Sequence, residues 1–261
     1  MAGASKWDDL RDRMISGLAM AVVGLGLVWA GGPWFAMLAA FVSGVMLWEL
    51  SRMVAPEKVR AAWQIGVLGA ASVLLANSIP YGAVLLLAPL IYGAYLLQRW
   101  LVLFVAFGIA ILAAGYGLIE FRNEHGMVWI VWLMLVVIAT DIFGYFAGRF
   151  IGGPKFWPAV SPKKTWSGIV AGWLAAIAIG FIFRTFTNAG VDLPWVSMLL
   201  SMASQAGDFA ESGLKRKMGV KDSSNLLPGH GGLFDRFDGM LGAVLFMLIV
   251  AQVVYVPEVR F

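Results

Sequence analysis

The sequence predicts an all-α integral membrane protein with about nine transmembrane helices. Three observations carry that prediction. Hydrophobic residues make up 61% of the 261 residues, and the mean hydropathy is +0.83. A soluble domain of this size does not need so much apolar surface. The apolar residues gather into stretches of the length a bilayer demands, roughly 17–25 residues. Finally, the basic residues fall almost entirely on one side when the chain is threaded through a membrane nine times.

In chain order the stretches are 14–31, 33–51, 61–78, 79–97, 100–120, 127–147, 166–186, 193–213 and 239–256. The opening MAGASKWDDLRDR is charged and lacks a small-residue cleavage site. It predicts a retained interfacial turn, not a signal peptide. Only Asn77-Ser78-Ile79-Pro80 separates the third stretch from the fourth, which predicts a tight hairpin. With the N-terminus in the cytoplasm, Arg122, Arg184 and Arg260 alone among 19 Lys and Arg fall on the far side. That bias predicts N-terminus in and C-terminus out. It also puts the polar loops 148–165 and 214–238 where cytoplasmic nucleotides reach them.

The spans of residues 1–126 carry almost no polar residue. They are expected to serve as scaffold, lipid groove or dimer contact. Gly17, Ala21 and Gly24, and Gly66, Gly69 and Ala70, suit close helix packing. Residues 127–261 are expected to hold the chemistry. The absence of Cys excludes disulfides, thiolate metal sites and thiol nucleophiles.

The most charged run in the chain is Ser212–Asp238, SGLKRKMGVKDSSNLLPGHGGLFDRFD. It begins with Lys215, Arg216, Lys217 and Lys221, turns through Pro228-Gly229-His230-Gly231-Gly232, and ends on Asp235, Arg236 and Asp238. A cationic, glycine-rich, acid-tipped loop between membrane helices points to phosphate bound together with a metal. Asp235 and Asp238 are three apart, so one helical face presents both. Taken alone they also fit a helix cap with an Arg236 ion pair. Upstream, Ser201, Ser204, Gln205, Asp208, Glu211, Ser212 and Lys215 recur at helical spacing and mark one polar face. An acid such as Asp208 inside a span faces a cavity or a partner. It serves either a site or a structural Lys or Arg. Asp141, late in the sixth stretch, is a second acid of this kind. In the loop before the seventh stretch, Lys163 and Lys164 precede Thr165, which can cap the following helix and complete an anion site. Ordinary positive-inside charge explains the same lysines. His230 can donate to phosphate or carry a proton near neutral pH, or simply sit solvated.

The same residues resemble the signature of the phosphatidate cytidylyltransferases. That pattern is Ser-x-apolar-Lys-Arg, four residues, Lys-Asp-x-small, two residues, then Leu-Pro-x-His-Gly-Gly-apolar-x-Asp-Arg-apolar-Asp. Here it is filled by Ser212, Leu214, Lys215, Arg216, Lys221, Asp222, Ser224, Leu227, Pro228, His230, Gly231, Gly232, Leu233, Asp235, Arg236, Phe237 and Asp238. The segments SQAGDFAES and SPKKTW resemble the family as well. Ser167 departs from it, since a longer side chain, Glu or Gln, is expected there.

The resemblance implies transfer of the cytidylyl group of CTP to phosphatidic acid, giving CDP-diacylglycerol and pyrophosphate. It implies Mg²⁺, with a monovalent cation such as K⁺ nearby, and a homodimer. It implies a bacterial-type inner membrane location and no nucleic-acid partner. By resemblance Asp208 and Asp235 are the metal ligands. Lys215, Arg216 and Lys221, with His230, are expected to handle phosphate at the reacting centre. Asp141, Lys163, Lys164, Thr165, Asp222, Arg236 and Asp238 are expected to bind and orient substrate. A CTP-dependent lipid kinase is the alternative. An anion transporter using Asp141 and Asp208 is disfavoured, because the sequence shows no internal repeat.

Overall fold

The computed structural model describes residues 22–227 and 231–257. The expected interfacial turn, His230 and Arg260 lie outside the described residues.

The chain is mostly helical. Helix α1, described over 22–30, is followed by α2 (Gly32–Val54), α3 (Val59–Ala76), a 3₁₀ segment (Gly82–Leu86) leading into α4 (Leu87–Leu97), and α5 (Leu101–His125). Then come α6 (Met127–Phe150), the strands β1 (Lys155–Trp157) and β2 (Ser161–Thr165), α7 (Trp166–Arg184), α8 (Leu193–Met218) and α9 (Phe234–Val250). Among the described residues five helices, α2, α3, α5, α6 and α7, are long and apolar enough to cross a membrane. Helix α4 has 11 residues. With its 3₁₀ lead it reaches roughly 26 Å, a little short of the ~30 Å hydrocarbon core. Helix α9 has 17 residues, and α8 is long but charged along its second half.

The breaks follow from local chemistry. Gly126 alone separates α5 from α6, and its φ of 94° is a value that favours glycine. Pro33 stands in the first turn of α2, where its missing N–H costs nothing. The stretch 148–165, expected to be a polar loop, contains a two-stranded antiparallel ribbon, a departure from the expected all-α class. Lys155 pairs with Thr165 and Trp157 with Ser161 across a bulge. Pro162 is tolerated there because a two-stranded ribbon has only edges.

Two compact units emerge from the contacts. The first comprises the described residues up to 119 together with 218–236. The second comprises 120–217 and the described residues from 237 onward.

In the first unit α2 packs against α3 through glycine. A Cβ on Gly44 would lie 2.8 Å from the Gly66 carbonyl oxygen and 2.7 Å from the Ala70 Cβ, so the helices meet backbone to backbone. The expected roles of Gly66, Gly69 and Ala70 are seen in this contact. A Cβ on Gly24 would meet no other part of the described residues within 4 Å, and Gly17 and Ala21 lie outside them. Leu47, Leu50, Ile65 and Phe104 form the centre of this unit's core.

In the second unit the polar residues of α8 act as inter-helix glue. Trp132 donates its Nε1–H to Ser197 Oγ at 3.0 Å, and Thr140 donates to Ser201 Oγ at 2.7 Å. Trp173 Nε1–H reaches Gln205 Oε1 at 2.9 Å, while Gln205 Nε2 donates to the Ile169 carbonyl at 3.3 Å. Away from water such groups must find partners within the protein. Here they tie α8 to α6 and α7. Gly207 and Gly242 bring α8 against α9: a Cβ on Gly242 would sit 3.0 Å from the Gly207 Cα.

Candidate active site

Below Gln205 the polar face of α8 changes character, from neutral hydrogen bonds to charge. Asp208, half-buried, forms an ion pair with Lys164 of β2. Its other carboxylate oxygen accepts the Ser212 hydroxyl at 3.2 Å. The Lys164 ammonium lies 4.7 Å from the centre of the Phe209 ring, so it has a cation–π partner too. One turn on, Glu211 is buried at 1% exposure and pairs with Lys215 at 2.5 Å. Helix α8 continues to Met218, past the expected end at 213. Lys215 and Arg216 are therefore helical, with Arg216 turned to the surface. Cationic side chains in a last turn favour such an extension by meeting the negative end of the helix dipole.

Asp141 and Asp238 complete this group. Asp141, on α6, is close enough to Lys164 and Asp208 for their charges to act on it. Asp238, on α9, lies within the field of Asp208, Lys215 and Lys164, and its Oδ1 accepts the Gly239 N–H at 2.6 Å. Four carboxylates, Asp141, Asp208, Glu211 and Asp238, thus share the neighbourhood of Lys164 and Lys215 inside one unit.

Beside them opens a cleft of 320 Å³ that Asp141, Arg149, Lys163, Lys164 and Thr165 line. Thr165 caps α7 as expected, accepting the Gly168 N–H at 3.2 Å. Its hydroxyl also meets Ser167 Oγ at 2.9 Å, and Ser167 in turn donates to the Gly152 carbonyl. The short Ser167 side chain thus fastens the turn before the ribbon. A second, apolar cavity of 620 Å³ adjoins the ribbon, lined by Phe156, Trp157, Trp173, Met202 and Phe209.

In the first unit Ser223 and Gly232 surround Asp235, in the first turn of α9. One carboxylate oxygen accepts the Ser223 N–H at 2.9 Å, the Ser223 hydroxyl at 2.9 Å and the Gly232 N–H at 2.7 Å. Leu227 and Gly231 bridge, with Leu227 N–H donating to the Gly231 carbonyl at 2.8 Å. Lys221, Asp222 and Arg236 are exposed.

One acid of this loop's surroundings went unnoticed in the sequence. Glu49, in α2, has no exposed surface and accepts three hydrogen bonds from the loop. Its signal was a carboxylate within FVSGVMLWELSR, an otherwise apolar span. Arg149 lines the cleft as well, and in the sequence nothing but the positive-inside bias marks it.

Residues 11–254 match the Cytidylyltransferase family. The chain belongs to this family. Its relatives include the phosphatidate cytidylyltransferase of Brucella abortus biovar 1 (strain 9-941), 34% identical over 263 residues and 96% of each chain. That of Bacillus subtilis (strain 168) is 35% identical over 261 residues, 92% of this chain and 96% of the relative. That of Staphylococcus aureus (strain COL) is 28% identical over 248 residues, 89% and 95% of the two chains. The likeness therefore extends through the apolar N-terminal helices of this cytidylyltransferase as well as its charged segments.

The donor chemistry suits a hard divalent cation. Asp208 in the second unit and Asp235 in the first each carry carboxylate oxygens, the type Mg²⁺ prefers. Among the described residues no three acidic or histidine side chains form a ready cage. Mg²⁺ does not need one, since it is usually held by one or two carboxylates, waters and substrate phosphates.

Proposed function

We propose that this family member transfers the cytidylyl group of CTP to phosphatidic acid, giving CDP-diacylglycerol and pyrophosphate. The observation that carries the reading is the family match over residues 11–254. The charged group around Asp208 and Lys164 supports it. An oxygen of the lipid phosphate attacks the α-phosphorus of CTP. The new O–P bond forms as the bond to the pyrophosphate oxygen breaks, and pyrophosphate takes that electron pair. A phosphate monoester is already mostly dianionic at pH 7, so the attack needs no strong base. The difficulty is bringing two polyanions together, and cations must offset that repulsion.

In this reading named side chains carry that task. Lys163 and Lys164, with Arg149, attract phosphate into the 320 Å³ cleft. Lys215, Arg216 and Lys221 receive triphosphate or lipid phosphate. Thr165 holds α7 in place, since its hydroxyl is already engaged by the helix. Asp208 and Asp235 are the Mg²⁺ ligands, and Asp222 and Asp238 support them. A monovalent cation such as K⁺ accompanies the Mg²⁺. Mg²⁺, when bound, supplies charge neutralisation at the transferring phosphoryl group. Asp141 orients nucleotide from the cleft wall.

The test is purified protein with labelled CTP and phosphatidic acid. CDP-lipid plus pyrophosphate is the expected pair. Phosphorylated lipid plus CDP would replace this reading with the kinase.

The proposed topology is nine spans, N-terminus in the cytoplasm and C-terminus outside, in a bacterial inner membrane, with the chain acting as a homodimer. The one-sided distribution of Lys and Arg supports the orientation. Cysteines placed at Ser161 and Ser224 are expected to react with an impermeant maleimide only from the cytoplasmic side, and one at Asn123 only from outside. The chain contains no Cys to compete. Labelling of Ser224→Cys from outside would overturn the topology.

A further inference from the structure

Glu49 is a carboxylate fully buried in an apolar helix, an arrangement that costs several kilocalories unless its lone pairs are filled. They are filled by one short piece of distant chain. Oε1 accepts the Ser224 hydroxyl at 2.5 Å and the Leu233 N–H at 2.9 Å. Oε2 accepts the Phe234 N–H at 2.6 Å. Leu233 precedes α9 and Phe234 opens it, at a helix start where unpaired backbone N–H groups attract an anion. The next residue is Asp235, whose own carboxylate holds the Ser223 and Gly232 N–H groups.

The pattern interlocks. Glu49 grips Ser224, Leu233 and Phe234; Asp235 grips Ser223 and Gly232. Each acid takes one residue of the Ser223-Ser224 pair and its own donors around the start of α9. A Cβ on Gly232 would strike both Ser223 Oγ and the Glu49 carboxyl group, so the fit leaves no slack.

We propose that Glu49 is a positioning residue for cytidylyl transfer, fixing the start of α9 and with it the direction of Asp235. This rests on Asp235 being functional, as assigned above. Glu49 does not touch substrate in this account. Both its oxygens are spent on the loop.

The decisive variant is Glu49→Gln. Gln keeps the volume but offers one acceptor oxygen, and its amide turns an N–H toward a backbone N–H. A packing role would leave Glu49→Gln unchanged. Positioning predicts a fall in kcat of about tenfold or more, the worth of one charge-assisted hydrogen bond. KM for CTP is expected to stay within about twofold, since uniform binding is untouched. Hydrogen exchange on the full-length protein in nanodiscs should accelerate in peptides covering 222–236 and not in those covering α6 and α7. Wild-type kcat and exchange in Glu49→Gln would overturn the proposal. So would acceleration in every helix, which would mean general destabilisation. Ser224→Ala removes one of the three donors and is the gentler variant if Glu49→Gln fails to fold. It is expected to shift the same peptides and lower kcat about threefold or more, since one hydroxyl donor is lost while both backbone donors remain, and unchanged values there would overturn the proposal equally. Asp235→Asn run in parallel separates the two readings. Full activity in Asp235→Asn would remove the role of Asp235 and the functional half of this proposal. Wild-type behaviour of Glu49→Gln beside an inactive Asp235→Asn would remove only Glu49.

Discussion

Asp208→Asn and Asp235→Asn are each expected to lower turnover about 10³-fold, the scale seen when a group stabilising transition-state charge is removed. The double variant is expected to be hardly worse than either single. Asn matches Asp in shape, so the comparison isolates charge. At position 208 the substitution leaves the Lys164 ammonium facing a neutral amide in place of its ion-pair partner. At position 235 an amide must point an N–H or a weaker acceptor at the Ser223 and Gly232 donors. If both acids serve one Mg²⁺, the first loss already removes its function, and the second has little left to remove. Strongly multiplicative losses, measured as pyrophosphate release at saturating CTP, would mean the acids act independently. Raising Mg²⁺ in the same assay should recover part of the activity of either single variant.

Lys215→Ala is expected to cost both stability and activity, whereas Arg216→Ala is expected to cost activity alone. The sequence places both in a polar loop, and on that basis neither substitution disturbs folding. The helix runs through both positions, and their side chains part ways. Lys215 is only 15% exposed and pairs with Glu211, itself 1% exposed. Removing one partner of a buried pair costs on the order of 3 kcal/mol, because the remaining charge is stranded. Adding Glu211→Gln to Lys215→Ala should therefore restore most of the melting temperature without restoring turnover. Arg216 is exposed, and its loss should cost about 1.5–3 kcal/mol of transition-state binding as a lost charge-assisted contact. If Lys215→Ala melted like the wild type, the buried pair would carry no structural weight.

The helices were legible because bilayer chemistry is blunt: α2, α3, α5, α6 and α7 need nothing more than length and apolarity to be found. The cap at Thr165 was legible too, since a hydroxyl before an apolar run has few other uses. The helical end of α8 was misjudged by five residues, because Lys and Arg read equally as loop charge and as the favourable last turn of a helix. The ribbon at Lys155–Thr165 gave no clear signal: two prolines and few alternating apolar residues do not read as strands. Among the site residues, Asp208 and Lys164 are 44 positions apart, and no local pattern announces that they pair. Glu49 was harder still. Its partners are mainly backbone N–H groups, which every sequence has and no sequence marks.

That anchor also sets an order of assembly. Glu49 and Leu233 are 184 residues apart. At about 5–20 residues per second of synthesis, the acid waits roughly 10–40 s before its partners exist. During that interval α2 carries a carboxylate in an apolar segment with its final donors still unmade. A chain arrested before Asp222 contains the α2–α3 hairpin and Asp141, Lys164 and Asp208, but lacks every N–H that Glu49 accepts. Closure of the loop on Glu49 therefore waits until the first residues of α9 have been made.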